Sequence, residues 1–141
     1  MKVYEALGVL ADARIRAHDG EAEVDSSRQN KTYKVIYDPI QNTIVASDSG
    51  TFWQRYVSYP SIALLLEKSV IKYNKSVANE LKGIIWKDIA DKYKHDYAAM
   101  EEYILSKTKH PKKVKAECSR ILKEVIGLKL LQPEHMLRPE K

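Results

Sequence analysis

Between residues 15 and 46, hydrophobic and polar side chains alternate in four short runs, the pattern of half-buried β-strands. In the first two runs the apolar positions are Ile15, Ala17, Ala22 and Val24. The dipeptide Asp19-Gly20 separates these runs, and it favours a tight turn because both residues tolerate a positive φ. The pattern therefore predicts a β-hairpin.

A second hairpin is predicted directly after a polar loop. Tyr33, Val35 and Tyr37 share one face of a strand, and Pro39 ends it because proline has no amide hydrogen for the ladder. The β-branched run Thr43–Ala46 is typical of the returning strand. We expect the two hairpins to form one small antiparallel sheet, with the two tyrosines in its core.

Helical spacing dominates the rest of the chain. A first helix is predicted over residues 2–11, and Pro60 suits the start of a helix whose apolar face covers residues 62–66. Beyond residue 74 the apolar stripes predict further helices: Val77, Ala78 and Leu81; Ile85, Ile89 and Tyr93; Tyr97, Met100 and Ile104; Val114, Cys118, Ile121, Leu122 and Val125. Gly127 is the expected C-cap of the last helix.

The predicted fold class is therefore α+β: an N-terminal helix, a small antiparallel sheet of two hairpins, a packed helix, and a C-terminal helical bundle. We expect one unit over residues 1–70, a helical region over 71–131, and a frayed tail over 132–141. No apolar stretch is long enough to span a membrane, and no secretory signal is recognisable at the start. With the single Cys118, this favours a cytoplasmic protein, and the dominance of Lys and Glu is typical of thermophiles.

The order hairpin, hairpin, turn, helix over residues 13–68 resembles the SWIM zinc-finger family. The residues that carry the resemblance are the strands KTYKVIY and TIVASD, the aromatic segment after them, and YPSIALLL at the helix start. In that family a Cys-x-Cys closes the second hairpin and a Cys-x-His opens the helix. The resemblance implies binding of nucleic acid or protein.

The zinc ligands of that family are missing from this chain. Ala46-Ser47-Asp48 stands where Cys-x-Cys is expected, and Ser61-Ile62-Ala63 where Cys-x-His is expected. Structural zinc needs thiolate or imidazole donors, so we predict a metal-free version. An aromatic cluster could replace the metal by packing. Its members, also the candidate interaction residues, are Phe52, Trp53, Tyr56 and Tyr59.

Positive charge is concentrated in the second part of the chain. The chain carries a formal net charge of +5, and residues 61–141 hold 17 Lys and Arg against 11 Asp and Glu. The segment 107–115 contains five lysines and no acid. On a helix starting at Pro111, its cations form a broad face opposite the apolar stripe, and such a face can bind phosphates. The predicted nucleic-acid-binding residues are Lys107, Lys109, Lys112, Lys113, Lys115, Arg120 and Lys123, with Arg28, Lys31 and Lys34 on the second hairpin and the loop before it.

Alternatives to this interpretation stay open. The lysine face could simply be solvated, or bind an acidic protein. The stretch from Ile84 to Ile104 allows a helix-turn-helix as well as a plain αα-hairpin, but its second helix lacks Arg, Asn and Gln, which read base edges. Trp53, Tyr56 and Tyr59 with Arg55 could stack on single-stranded bases, or belong to the core.

Catalytic chemistry is not expected. Asp88, Asp91 and His95 share one helix face and could bind a metal weakly, but carboxylates near a helix N-terminus are common in any case. Cys118 lies on an apolar stripe and is expected to be an inert buried thiol. The sequence contains no motif of a nucleophilic, metal-dependent or nucleotide-binding enzyme, so neither an enzyme nor a cofactor is predicted.

The sequence thus predicts a non-enzymatic protein that binds nucleic acid with low sequence specificity. The alternative is a protein-interaction or self-association module that uses the edge of the second hairpin and the aromatic cluster. No membrane partner is expected.

Overall fold

The computed structural model describes residues 1–48 and 57–133, and it confirms the α+β class. The elements in chain order are α1 (Lys2–Ala11), β1 (Ile15–His18), β2 (Glu21–Asp25), β3 (Thr32–Asp38), β4 (Thr43–Ala46), α2 (Tyr59–Glu67), α3 (Lys75–Asn79), α4 (Trp86–Lys92), α5 (Tyr97–Ser106) and α6 (Pro111–Gly127). No helix in the described ranges is long and apolar enough to cross a membrane.

The sheet is a four-stranded antiparallel meander in the order β1-β2-β3-β4. In its first turn Asp19 has a φ of 52°, as expected for Asp-Gly. Gly20 is needed for another reason, because a Cβ there would lie 2.7 Å from the carbonyl oxygen of Tyr37. The Tyr37 amide in turn donates to the Gly20 carbonyl over 2.8 Å, so the turn is bonded to β3.

The helices form a layer on one face of the sheet. Helix α2 packs on all four strands and on α1, and residues 60–66 are all buried. Such a continuous apolar run fits a helix enclosed on several sides. Helix α1 then contacts α3 and α6, so the core runs from the sheet through α2 and α1 to the C-terminal helices.

The corner between α1 and β1 is held by a buried arginine. Nη1 of Arg14 donates to the Asp25 carbonyl over 2.6 Å, and Nε donates to Asp12 Oδ2 over 3.3 Å. Nη2 is buried and has no hydrogen-bond partner in residues 1–48 and 57–133.

Some expected core positions differ. Leu122 is 48% exposed and Tyr97 is 63% exposed, although both were placed on buried stripes. In α4 the buried side chain is Trp86, which packs against Gly8, while Ile85 is the N-cap and partly exposed. Helical periodicity defines the direction of an apolar face but not its width, so residues at its border were misassigned.

The end of α6 also differs from the prediction. The helix includes Gly127, its C-cap is Leu128 in a right-handed conformation, and the positive φ falls on Lys129. Nδ2 of Asn42 donates to the Leu128 and Lys129 carbonyls over 3.1 and 3.0 Å, which satisfies carbonyls that a glycine cap would otherwise bond.

The chain after α6 covers part of the sheet edge. Leu131 forms a parallel bridge with Thr43, in which the Ile44 amide donates to the Leu131 carbonyl over 3.0 Å. The start of β4 is therefore already paired and is not open to an added strand.

Candidate nucleic-acid interface

Helix α6 divides cleanly into a buried and an exposed side. Val114, Cys118, Ile121 and Val125 are buried against the neighbouring helices, as the stripe predicted. Burial raises the pKa of the Cys118 thiol to about 12. At neutral pH the thiol is therefore protonated, which agrees with a structural role.

The start of α6 is capped by a carboxylate from another part of the chain. Oε1 of Glu80 accepts hydrogen bonds from the amides of Lys109 and His110 over 2.7 and 2.9 Å, and Oε2 lies 3.2 Å from His110 Nδ1. Burial raises the pKa of Glu80, but these hydrogen bonds outweigh it and keep the pKa below its usual value. Glu80 thus provides a hydrogen-bond acceptor for amides at the start of α6, which have no carbonyl partner within the helix.

The carboxylates on the exposed side of α6 are also occupied. Arg120 bonds Glu117 over 2.9 Å and also pairs with Glu124, while its Nη2 donates to the Lys72 carbonyl over 2.8 Å. Glu117 additionally accepts from the Asn74 amide over 2.6 Å. Burial raises the pKa of Glu117, yet the bonds from Arg120 and Asn74 hold it below its usual value.

These contacts fix the segment between α2 and α3 along α6, and so bring in two lysines that were not predicted. Lys72 and Lys75 join four predicted residues on the outer side of the helix. We call the six exposed side chains the basic surface: Lys72, Lys75, Lys109, Lys112, Lys113 and Lys123. Only the bonds made by Arg120 and Glu117 reveal the two additions, because the sequence gives no sign of which helix that segment follows.

None of the six lysines makes an ion pair with a described residue, because the nearby acids are bonded elsewhere. The six lysines and Arg120 are seven cationic side chains, and they are accompanied by three carboxylates, those of Glu80, Glu117 and Glu124. The formal charge of this group of side chains is therefore +4. Lysines without ion pairs on a surface of net positive charge attract polyanions.

Three other predicted cations on and near α6 are already engaged. Lys115 lies 3.8 Å from Glu101, on the side of α6 that faces α5. Nζ of Lys107 lies 5.4 Å from the centre of the Tyr103 ring. Arg120 bonds the carboxylates of Glu117 and Glu124, and so it engages two acids beside the lysines.

The predicted residues Arg28, Lys31 and Lys34 lie elsewhere. Arg28 pairs with Asp88 of α4. Lys31 is exposed just before β3, and Lys34 is exposed on the face of β3 opposite to the buried Val35. Since α2 packs on the buried face, Lys34 lies on the face of β3 that points away from α2.

Of the aromatic cluster, the structure describes only Tyr59, because Phe52, Trp53 and Tyr56 lie outside the described residues. Tyr59 is partly buried and makes an edge-to-face contact with Tyr33, with ring centres 6.2 Å apart. Such a pair stabilises the junction of sheet and helix.

The surroundings of Asp88 and Asp91 do not support weak metal binding by Asp88, Asp91 and His95. Asp88 pairs with Arg28, and Asp91 lies 3.1 Å from Lys87. No group of three potential metal ligands occurs in residues 1–48 and 57–133. Helix α5 keeps Glu101 and Glu102 and offers no base-reading side chain.

No curated protein and no solved structure matches the chain. A family model does match, over residues 1–131. Because this match covers both the sheet and all the described helices, the chain belongs to the family described as Uncharacterised conserved protein UCP014422.

Proposed function

We propose that the protein binds nucleic acid with low sequence specificity through the basic surface. The observation that carries this proposal is that the local carboxylates bond Arg120, His110 and backbone amides, which leaves six lysines without an ion pair to any described residue. Binding of phosphates by such lysines releases condensed counterions, and this release drives association.

The chemistry of the side chains argues for contacts to phosphates. Lysine is a flexible point charge that suits a phosphate, whereas arginine, asparagine and glutamine form the bidentate bonds that identify a base. The basic surface contains only lysines, and the Arg120 guanidinium is already bonded on several sides. We therefore expect little difference in affinity between sequences.

A double charge reversal on α6 tests the proposal. Lys112→Glu/Lys113→Glu should weaken binding to a fluorescent duplex by about tenfold or more at low salt, because phosphate contacts are lost and repulsion is added. Both side chains are exposed and form no ion pair within the described part of the chain, so the thermal midpoint should stay within a few degrees of the parent. Fluorescence anisotropy measures the affinity.

The matched control is Lys31→Glu/Lys34→Glu, which changes the net charge equally at two exposed lysines, one just before β3 and one on its outer face. It should weaken binding much less than the α6 variant. Equal losses in both variants would contradict a defined surface and leave only an effect of net charge.

A further inference from the structure

A cleft on the other side of α6 has a different chemistry. It has a volume of about 1020 Å³, and it is lined by residues of α1, α2, α5 and α6 together with Tyr33 of β3 and Asp48 after β4. This size matches clefts that hold small organic molecules. The cleft shares no residue with the basic surface.

The wall formed by the end of α6 is apolar and open to solvent. Leu122, Ile126 and Leu130 line it, and Tyr97 of α5 also lines the cleft. Ile126 is 66% exposed. Exposed apolar side chains around a concave surface are typical of a binding site.

The wall formed by α1 and α2 carries a carboxyl group without a partner. Glu5 lines the cleft and forms no side-chain hydrogen bond or ion pair with any described residue. The other two carboxylates of the cleft are bonded: Asp48 accepts from Ser58 over 2.7 Å, and Glu101 accepts from the Tyr4 hydroxyl over 2.7 Å. Among the described carboxylates of the cleft, Glu5 is thus the one that accepts no hydrogen bond.

Aromatic rings also line the cleft. Tyr59 and its edge-to-face neighbour Tyr33 are both lining residues, and Tyr59 lies near enough to Glu5 for the two side chains to interact electrostatically. Rings of this kind attract cations through their negative faces, so the Glu5 carboxyl group with Tyr59 near it favours a positively charged group there.

We propose that the cleft binds a small organic cation, whose ammonium group pairs with Glu5 and whose apolar part packs against Leu122 and Ile126. This site is independent of the basic surface and would stand if nucleic-acid binding failed.

The binding should depend on pH because Glu5 titrates in the neutral range. Burial raises its pKa to about 7, and the Met1 amino group and Arg14 partly offset that effect. Tyr59 is the other titratable group near it, and burial keeps the pKa of that phenol above its usual value. The remaining titratable groups of the cleft are Lys2, Tyr4, Tyr33, Asp48, Tyr97, Glu101, Cys118 and Lys129.

Titration of the full chain with hexylammonium, followed by amide NMR shifts at pH 8, tests the proposal. We expect shifts at residues of the cleft and an affinity at least about tenfold tighter than for hexanol. Affinity should fall as the pH drops through about 7, because Glu5 becomes protonated.

Glu5→Gln is isosteric and should lower hexylammonium affinity about tenfold, remove the pH dependence and leave hexanol binding unchanged. Glu102→Gln is the matched control, since Glu102 is exposed and does not line the cleft. The proposal is overturned if hexylammonium shifts no cleft residue at about 20 mM, if hexanol or hexanoate binds as tightly, or if Glu5→Gln binds like the parent.

Discussion

Glu5 shows how one side chain can link the stability of this fold to pH. When a carboxyl group is largely removed from water and accepts no hydrogen bond, its charged form is destabilised relative to its neutral form. Its pKa is accordingly higher in the folded protein, about 7, than the 4.5 of an unperturbed glutamate. The folded state therefore binds this proton more tightly than the unfolded state does.

The sign of the pH effect follows from that difference. The contribution of Glu5 to stability is fully present below about pH 4.5 and is lost as the pH rises through about 7. Glu5→Gln, which cannot ionise, should raise the free energy of unfolding at pH 8 by about 2–3 kcal/mol and change little at pH 4.5.

Urea unfolding of the parent and of Glu5→Gln at these two pH values measures this prediction. An equal difference between the two proteins at both pH values would show that ionisation of Glu5 is not its cause.

Helix α6 depends on a cap that lies 30 residues away in sequence. Glu80 bonds the amides of Lys109 and His110, which precede the first turn of the helix. Glu80→Ala should lower the free energy of unfolding by about 1–2 kcal/mol, because two amides lose their acceptor and the helix dipole loses a negative charge.

The effect of this cap should weaken in acid. The folded pKa of Glu80 lies below its usual value, so its contribution is present above the unfolded pKa and is lost as the pH falls through the folded one. Thermal unfolding at neutral and acidic pH checks this, with Glu102→Ala as the exposed control. A Glu80→Ala variant as stable as the control would refute the capping role.

At the scale of elements, local signals predicted most of the fold. Alternation around Asp19-Gly20 located the first hairpin, and Pro60 and Pro111 lie near or at the starts of α2 and α6, as expected. These signals depend on neighbours in sequence, and such neighbours determine turns and helix starts.

Contacts between distant segments were not predictable in the same way. The exposure of Leu122 depends on how far α5 and α6 lie apart, and the cap at the C-terminal end of α6 depends on Asn42 in the turn before β4. The bonds of Arg120 to the Lys72 carbonyl and of Glu117 to the Asn74 amide place Lys72 at the basic surface. Periodicity contains none of this information. The resemblance to SWIM domains stays a prediction.

At the scale of the whole molecule, one helix, α6, presents two different surfaces. The outer side of α6 carries the basic surface, and its flank toward α5 forms the wall of the cleft. The two sides differ in charge and in apolar exposure, so they suit different partners. The central claim is that unpaired lysines on the outer side bind phosphates.

The most direct test of that claim is the salt dependence of binding to a duplex oligonucleotide. If most of the six lysines contact phosphates, log K should fall linearly with log salt, with a slope between about −3 and −5. Lys112→Glu/Lys113→Glu should make that slope shallower by about 2. Absence of binding at about 50 mM salt, where screening is weak, or an unchanged slope in the variant, would contradict the account.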